Sequence, residues 1–165
     1  MPTPSQDSLS EPERKLIDLI RDTRANPEDK LHAILLERPE EFMQYLINDS
    51  HGAVKLRLYV VAAELGIGMK TLQRNFAKKY KKAMVDFHLE ARLDFAKFLL
   101  RVMRGEKMSV IAKHIGYDRE PEFTRFFEKL MHEPPAKWAE KEHRRADRKA
   151  AQLRADQENH PPSSL

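Results

Sequence analysis

A chain of 165 residues, 41% of them hydrophobic, has enough apolar material for a core of ordinary domain size, and no apolar run is long enough to span a bilayer. It has no cysteine, which excludes disulfides and thiolate chemistry, and residues 1–7 lack the apolar stretch of a signal peptide, so a soluble, cytoplasmic protein with no membrane contact is expected. The net charge of +4 is unevenly spread, with −5 over residues 1–50, +8 over 51–138 and +1 over 139–165; the basic block fits either a polyanionic partner or a solvated surface.

Apolar residues recur at helical spacing almost throughout and no alternating strand pattern occurs, which predicts an all-α fold. Residues 1–8 are Pro- and Ser-rich and read as loose. Ser10 and Glu13 have the spacing of a capping box, with Pro12 in the first turn; they open a helix through Leu16, Ile17, Leu19 and Ile20. Asn26 and Pro27 start a second helix carrying Leu31, Ile34, Leu35 and Leu36. Pro39 opens a third, with Phe42, Met43, Leu46 and Ile47, which ends at Asp49-Ser50-His51-Gly52.

Beyond Leu56 the pattern tightens. A helix through Leu58, Val61 and Ala62 stops at Gly66. The next begins near Gly68 and carries Leu72 and Phe76. A long helix is predicted over about 83–102, with Phe87, Leu89, Leu93, Ala96 and Leu100, and Gly105 breaks it. Met108, Ile111, Ala112 and Ile115 form a short helix that stops at Gly116. Phe123, Phe126, Phe127 and Leu130 lie on the following helix, which Pro134-Pro135 ends. A short helix anchored by Trp138 comes next. Residues 140–157 are highly charged and read as a solvent-exposed helix, followed by a disordered tail over 160–165.

Two segments resemble each other: Ala62-Ala63-Glu64-Leu65-Gly66-Ile67 and Ala112-Lys113-His114-Ile115-Gly116-Tyr117. Each follows a short helix and precedes an amphipathic one, the layout of a helix-turn-helix, with the second turn one residue longer. A tandem helical hairpin from a purely structural scaffold has the same layout. The outward face of the first candidate recognition helix favours DNA: Met69, Lys70, Thr71, Gln73, Arg74, Asn75, Lys78 and Lys79 lie there. Between Leu65 and Val85 there are six Lys/Arg and no acidic residue. Gln, Asn and Arg side chains match base edges in the major groove, while Lys and Thr suit phosphates. The second candidate helix offers Arg119, Glu120, Glu122, Thr124, Arg125 and Lys129. With Asp118 and Glu128, residues 118–129 are net −1, so this unit is expected to contribute less.

Residues from about Phe42 to Trp138 resemble the DNA-binding domain of the AraC/XylS family of bacterial transcription regulators. The resemblance runs through Leu58…Ala62-x-x-Leu65-Gly66-Ile67 and Leu72-Gln73-Arg74-x-Phe76, and along Phe87…Arg92-Leu93-x-x-Ala96…Leu99-Leu100. It continues through Ile111-Ala112-x-x-Ile115-Gly116-Tyr117, Phe123-Thr124-Arg125-x-Phe127 and Pro135…Trp138. It implies two helix-turn-helix units joined by a long helix, whose second helices enter successive major grooves about 34 Å apart. Three departures stand out: Lys81 and His132 occupy places where the family often has Gly, and Gly68 one where a Ser or Thr cap is usual.

The expected organisation is an N-terminal helical extension over 1–40, a DNA-binding domain over 41–139, and a charged helix and tail over 140–165. The acidic N-terminal helices fit a lid, a contact surface for RNA polymerase, a partner or a second copy, or a plain extension of the core. The chain lacks the strand pattern of a small-molecule sensor. A monomer on double-stranded DNA is expected rather than a dimer. Two other functions stay open: an adaptor that keeps the fold but not DNA reading, and a phage or plasmid protein for replication or recombination. His51, His88, His114, His132 and His143 show no metal-ligand spacing, and no catalytic constellation or cofactor motif occurs, so no metal, cofactor or enzyme activity is expected. Met69, Met84, Met103, Met108 and Met131 read as core filler or helix surface rather than a cofactor box. Arg92 reads as a structural salt-bridge residue, with phosphate contact as the alternative.

Overall fold

Helical periodicity becomes eight α-helices in the computed structural model, which describes residues 8–26, 33 and 36–159; no strand occurs among the described residues. They are α1 (Glu11–Ala25), α2 (Pro39–Asp49), α3 (Leu58–Glu64), α4 (Met69–Tyr80), α5 (Met84–Val102), α6 (Met108–Ile115), α7 (Glu120–Met131) and α8 (Pro135–Asn159). The expected helix carrying Leu31, Ile34 and Leu35, the loose start over 1–7 and the tail over 160–165 lie outside the described residues. The chain divides into two compact units, Met1–Phe95 and Ala96–Leu165, and α5 supplies residues to both.

In the first unit one apolar cluster joins Leu16 and Ile20 of α1, Phe42, Met43, Leu46 and Ile47 of α2, and Val61 and Ala62 of α3. Leu72 and Phe76 of α4 and Met84 of α5 complete it. α1 and α2 therefore extend the core beneath the first helix-turn-helix. Their junction is polar and buried. Glu13, with no exposed surface, accepts hydrogen bonds from the Ser10 amide at 2.8 Å and the Arg57 amide at 3.0 Å, and from the Arg57 guanidinium at 2.6 and 2.7 Å. Burial opposes the ionised carboxylate, but the bonds from Arg57 and Ser10 outweigh it and hold the pKa down at about 2.

The two turns are built alike. Ile67 donates to the Ala62 carbonyl at 3.1 Å and Tyr117 to the Ala112 carbonyl at 3.0 Å, closing the same loop fifty positions apart. Gly66 (φ 75°) and Gly116 (φ 100°) take the left-handed conformation at each turn. The recognition helix starts three residues after Gly66 in one unit and four after Gly116 in the other, the expected one-residue difference. Lys81 and His132 end α4 and α7 in the left-handed region, both at φ 56°, where a side chain costs about 1 kcal/mol or more.

The second unit packs Ile111, Ala112 and Ile115 of α6 with Phe123 and Phe127 of α7 and Trp138 of α8, all buried. Phe127 meets Trp138 edge-on at 5.8 Å, and the Arg101 guanidinium lies 5.1 Å from the Trp138 ring centre. The expected short helix at Trp138 and the expected charged helix from Glu140 are one continuous helix, because Pro135 occupies its first turn, where a missing N–H is harmless.

The turn after α2 is seated on α5. A Cβ on Gly52 would stand 2.5 Å from the His88 carbonyl oxygen and 2.6 Å from the Arg92 nitrogen. Arg92 Nε donates to the Gly52 carbonyl at 2.7 Å. His51 stacks on Phe95 with centroids 4.3 Å apart. Beneath them His88 is buried, and its Nε2 has no hydrogen-bond partner among the described residues. Burial first, and the Arg92 charge second, push its pKa down to about 4.

Gly52→Ala is expected to destabilise the protein by about 3 kcal/mol, seen as a fall in Tm on the order of 10 °C. Gly66→Ala, where φ is also positive but a Cβ meets nothing within 4 Å, should cost only about a third of that. Equal losses in thermal melts would show that packing against α5 is not the cause. Because His88 titrates lower folded than unfolded, its contribution is complete above pH 6.5 and declines as pH falls toward 4. Denaturant titrations should lose on the order of 3 kcal/mol across that interval, and His88→Leu should flatten the profile there.

Candidate nucleic-acid interface

Buried Leu72 and Phe76 fix the rotation of α4 about its axis. They leave Lys70, Thr71, Gln73, Arg74 and Lys78 exposed away from the core, with Asn75 half-buried; Lys79 is exposed too, but seven residues after Leu72 it lies on the same side as the buried pair, at the end of the helix. Met69 is also half-buried and packs against the core cluster. Lys70, Arg74 and Lys78 succeed one another at four-residue intervals and so lie along one line of the helix. None of them, nor Lys81, makes an ion pair among the described residues. α4 carries no acidic residue in its first turn and no side-chain cap, consistent with Gly68 at the N-cap.

Two neighbouring cations are already engaged. Lys79 bonds the Glu41 carboxylate of α2, and Arg38 reaches the same group at 3.4 Å. The bond from Lys79 lowers the Glu41 pKa, and the same bond raises that of Lys79. Lys82 pairs with Glu90 at 2.5 Å. The sequence shows the line of cations but not which of them is neutralised, because Glu41 stands 38 positions from Lys79.

Phe123 and Phe127 orient α7 in the same way. Arg119, Glu120, Arg125 and Lys129 are exposed, whereas Glu122, Thr124 and Glu128 are half-buried. Arg125 Nε donates weakly to the Pro121 carbonyl one turn back, at 3.3 Å. Glu120 and Glu122 stand in the first turn, where carboxylates offset the positive end of the helix dipole. Their presence thus has a structural reason apart from any contact with a ligand. Among the described residues no cluster of His, Asp or Glu could hold a metal ion, and no helix is long and apolar enough to cross a membrane.

A family model described as a helix-turn-helix domain matches residues 61–141. The C-terminal domain of the two-component response regulator yesN from Fusobacterium nucleatum is similar, with 25% identity and a TM-score of 0.54 over 61% of this chain and 97% of that one. So is the C-terminal domain of AraT, a response regulator from Geobacillus stearothermophilus (22% identity, TM-score 0.56, 62% of this chain and 84% of that one). The matching model is of the AraC type.

The AraC-type assignment agrees with the all-helical fold and with a sequence-specific DNA-binding regulator. The DNA-binding domain of AdpA, a global transcriptional factor solved in complex with a target DNA, shares the fold at 16% identity and a TM-score of 0.56, over 65% of this chain and 95% of that one. No curated protein matches the sequence.

Proposed function

We propose that this regulator binds an asymmetric duplex site as a monomer in the cytoplasm, acting by binding rather than catalysis, with α4 as its principal reading helix. One observation carries the reading: the outward face of α4 presents Lys70, Gln73, Arg74 and Lys78 with no acidic residue among them. In this reading Gln73, Arg74 and the half-buried Asn75 address base edges, while Lys70, Thr71 and Lys78 address phosphates. Lys79 joins them when it leaves Glu41, and Met69 supports the helix start at the groove. On α7, Arg119, Arg125 and Lys129 meet phosphates, and Thr124, Glu120 and Glu122 stand nearest the bases. Residues 41–139 form the reading domain, 1–40 its extension and 140–165 a charged appendage. The N-terminal helices remain the surface best placed in sequence for RNA polymerase.

Loss of a bidentate base contact costs about 1–3 kcal/mol, so Arg74→Ala or Gln73→Ala should reduce discrimination between specific and random duplexes roughly tenfold or more. Lys78→Ala should weaken both duplexes alike. Arg125→Ala should discriminate better than Arg74→Ala, because Glu122 and Glu128 lower the potential around it. Binding to both duplexes at one salt concentration, on variants with unchanged circular dichroism, decides the ranking. No preference of the unaltered chain for any duplex would favour the adaptor, and full discrimination by all four variants would move the reading away from these residues.

Glu41 is an intramolecular competitor for Lys79 in the same reading. Glu41→Gln should tighten binding and steepen the dependence on salt by up to about 0.9 in log–log slope, the share of one phosphate. Lys79→Gln should then matter more in the Glu41→Gln background than alone, and an additive result would remove Glu41 from the interface.

A further inference from the structure

α8 separates its charges by face. On the side toward the end of α5, Glu142 takes Arg101 at 2.8 Å, Asp147 takes Arg104 at 2.8 Å, and His143 Nε2 is 2.8 Å from the Leu100 carbonyl oxygen. These contacts engage two of the carboxylates of α8 with cations from elsewhere in the unit. Lys137, Lys141, Arg144, Arg145 and Arg148, spaced by four, three, one and three, then fall along the outward face. All five are exposed. Lys141, Arg144, Arg145 and Arg148 line a concavity of about 570 Å³ with Trp138 and two carboxylates, Glu133 and Glu142.

The carboxylates that remain near this face hold it weakly. Arg144 is 3.6 Å from Glu140 and Arg145 is 3.4 Å from Glu142, which already bonds Arg101 more closely. Lys141 pairs with Glu133 at 2.5 Å, its side chain half exposed. Arg148 makes no ion pair among the described residues. Exposed pairs of this kind contribute little and exchange readily for a stronger anion.

A helix stabilised only by its own surface pairs would mix signs on the outward face. Here partners from α5 and the turn after it satisfy the inward carboxylates, and three arginines are left outward. Their planar guanidinium forks match phosphate oxygens. We infer that the outward face of α8 is a phosphate-binding surface for the DNA backbone, separate from the two recognition helices. The inference rests on the DNA-binding reading above. Its contacts are independent of base sequence, so they add affinity without adding discrimination.

The test compares the full chain with Arg144→Gln/Arg145→Gln/Arg148→Gln on a long random-sequence duplex and across a salt series, with Arg74→Ala/Lys78→Ala in parallel. The three arginines are exposed, and matching thermal melts establish that the variant is folded. The expected result is a log–log salt slope shallower by about 2–3, with affinity down at least tenfold at low salt. An unchanged slope in the α8 variant, alongside a loss in the α4 variant, overturns the inference and leaves the DNA-binding reading intact; the face then serves an acidic protein or only solvent. Absence of salt-dependent binding by the unaltered chain overturns both.

Discussion

A single buried carboxylate ties the N-terminal segment to the DNA-binding fold. Glu13 would be prohibitively placed if it were alone, since an unpaired buried charge costs several kcal/mol. Instead it closes the N-terminus of α1 through the Ser10 amide and that of α3 through the Arg57 amide, and it carries the Arg57 guanidinium on both oxygens. The start of α1 is thereby held against the start of the first helix-turn-helix. Leu16 and Ile20 follow into the cluster that also holds Leu72 and Phe76. The orientation of α4, and with it the line of Lys70, Arg74 and Lys78, thus depends on an acidic residue of the N-terminal segment.

The apolar half of this arrangement was legible in the sequence because helices declare their buried faces by spacing. Leu72 with Phe76 and Phe123 with Phe127 stand where four-residue intervals place them, and both turns follow from their glycines. Charge partnerships were not legible. Lys79 with Glu41 and Arg101 with Glu142 are separated by about forty positions, and nothing local announces them. The Pro134-Pro135 pair marks the break after α7, but the length of the helix that follows was not legible. Proline ends one helix and equally begins the next, and nothing local shows that the helix anchored by Trp138 runs on without a break to Asn159.

The two units solve the same backbone problem with different surfaces. Both end their recognition helices in a left-handed residue other than glycine, Lys81 in one and His132 in the other. Each conformation is strained, but Lys81 adds a cation beside the negative end of α4, which returns part of the energy. The helix starts differ more. α7 opens with two glutamates that stabilise it as a helix, whereas α4 opens without acid or cap and leaves its first turn electropositive. Stability and attraction for an anion compete at a helix N-terminus, and the two units settle that competition in opposite directions.

The segment that matches the family begins at Val61, inside α3, and ends inside α8. Leu16, Ile20, Phe42, Met43, Leu46, Ile47 and Leu56 all precede it, yet they form the floor on which Leu72 and Phe76 rest. The matched segment is therefore shorter than the core that orients α4. Excised at that boundary, the first reading helix would keep Val61, Ala62, Met84 and Phe87 beside it but lose the apolar cover of α1 and α2. In this chain the floor beneath the first reading helix is supplied from outside the matched segment, by α1 and α2.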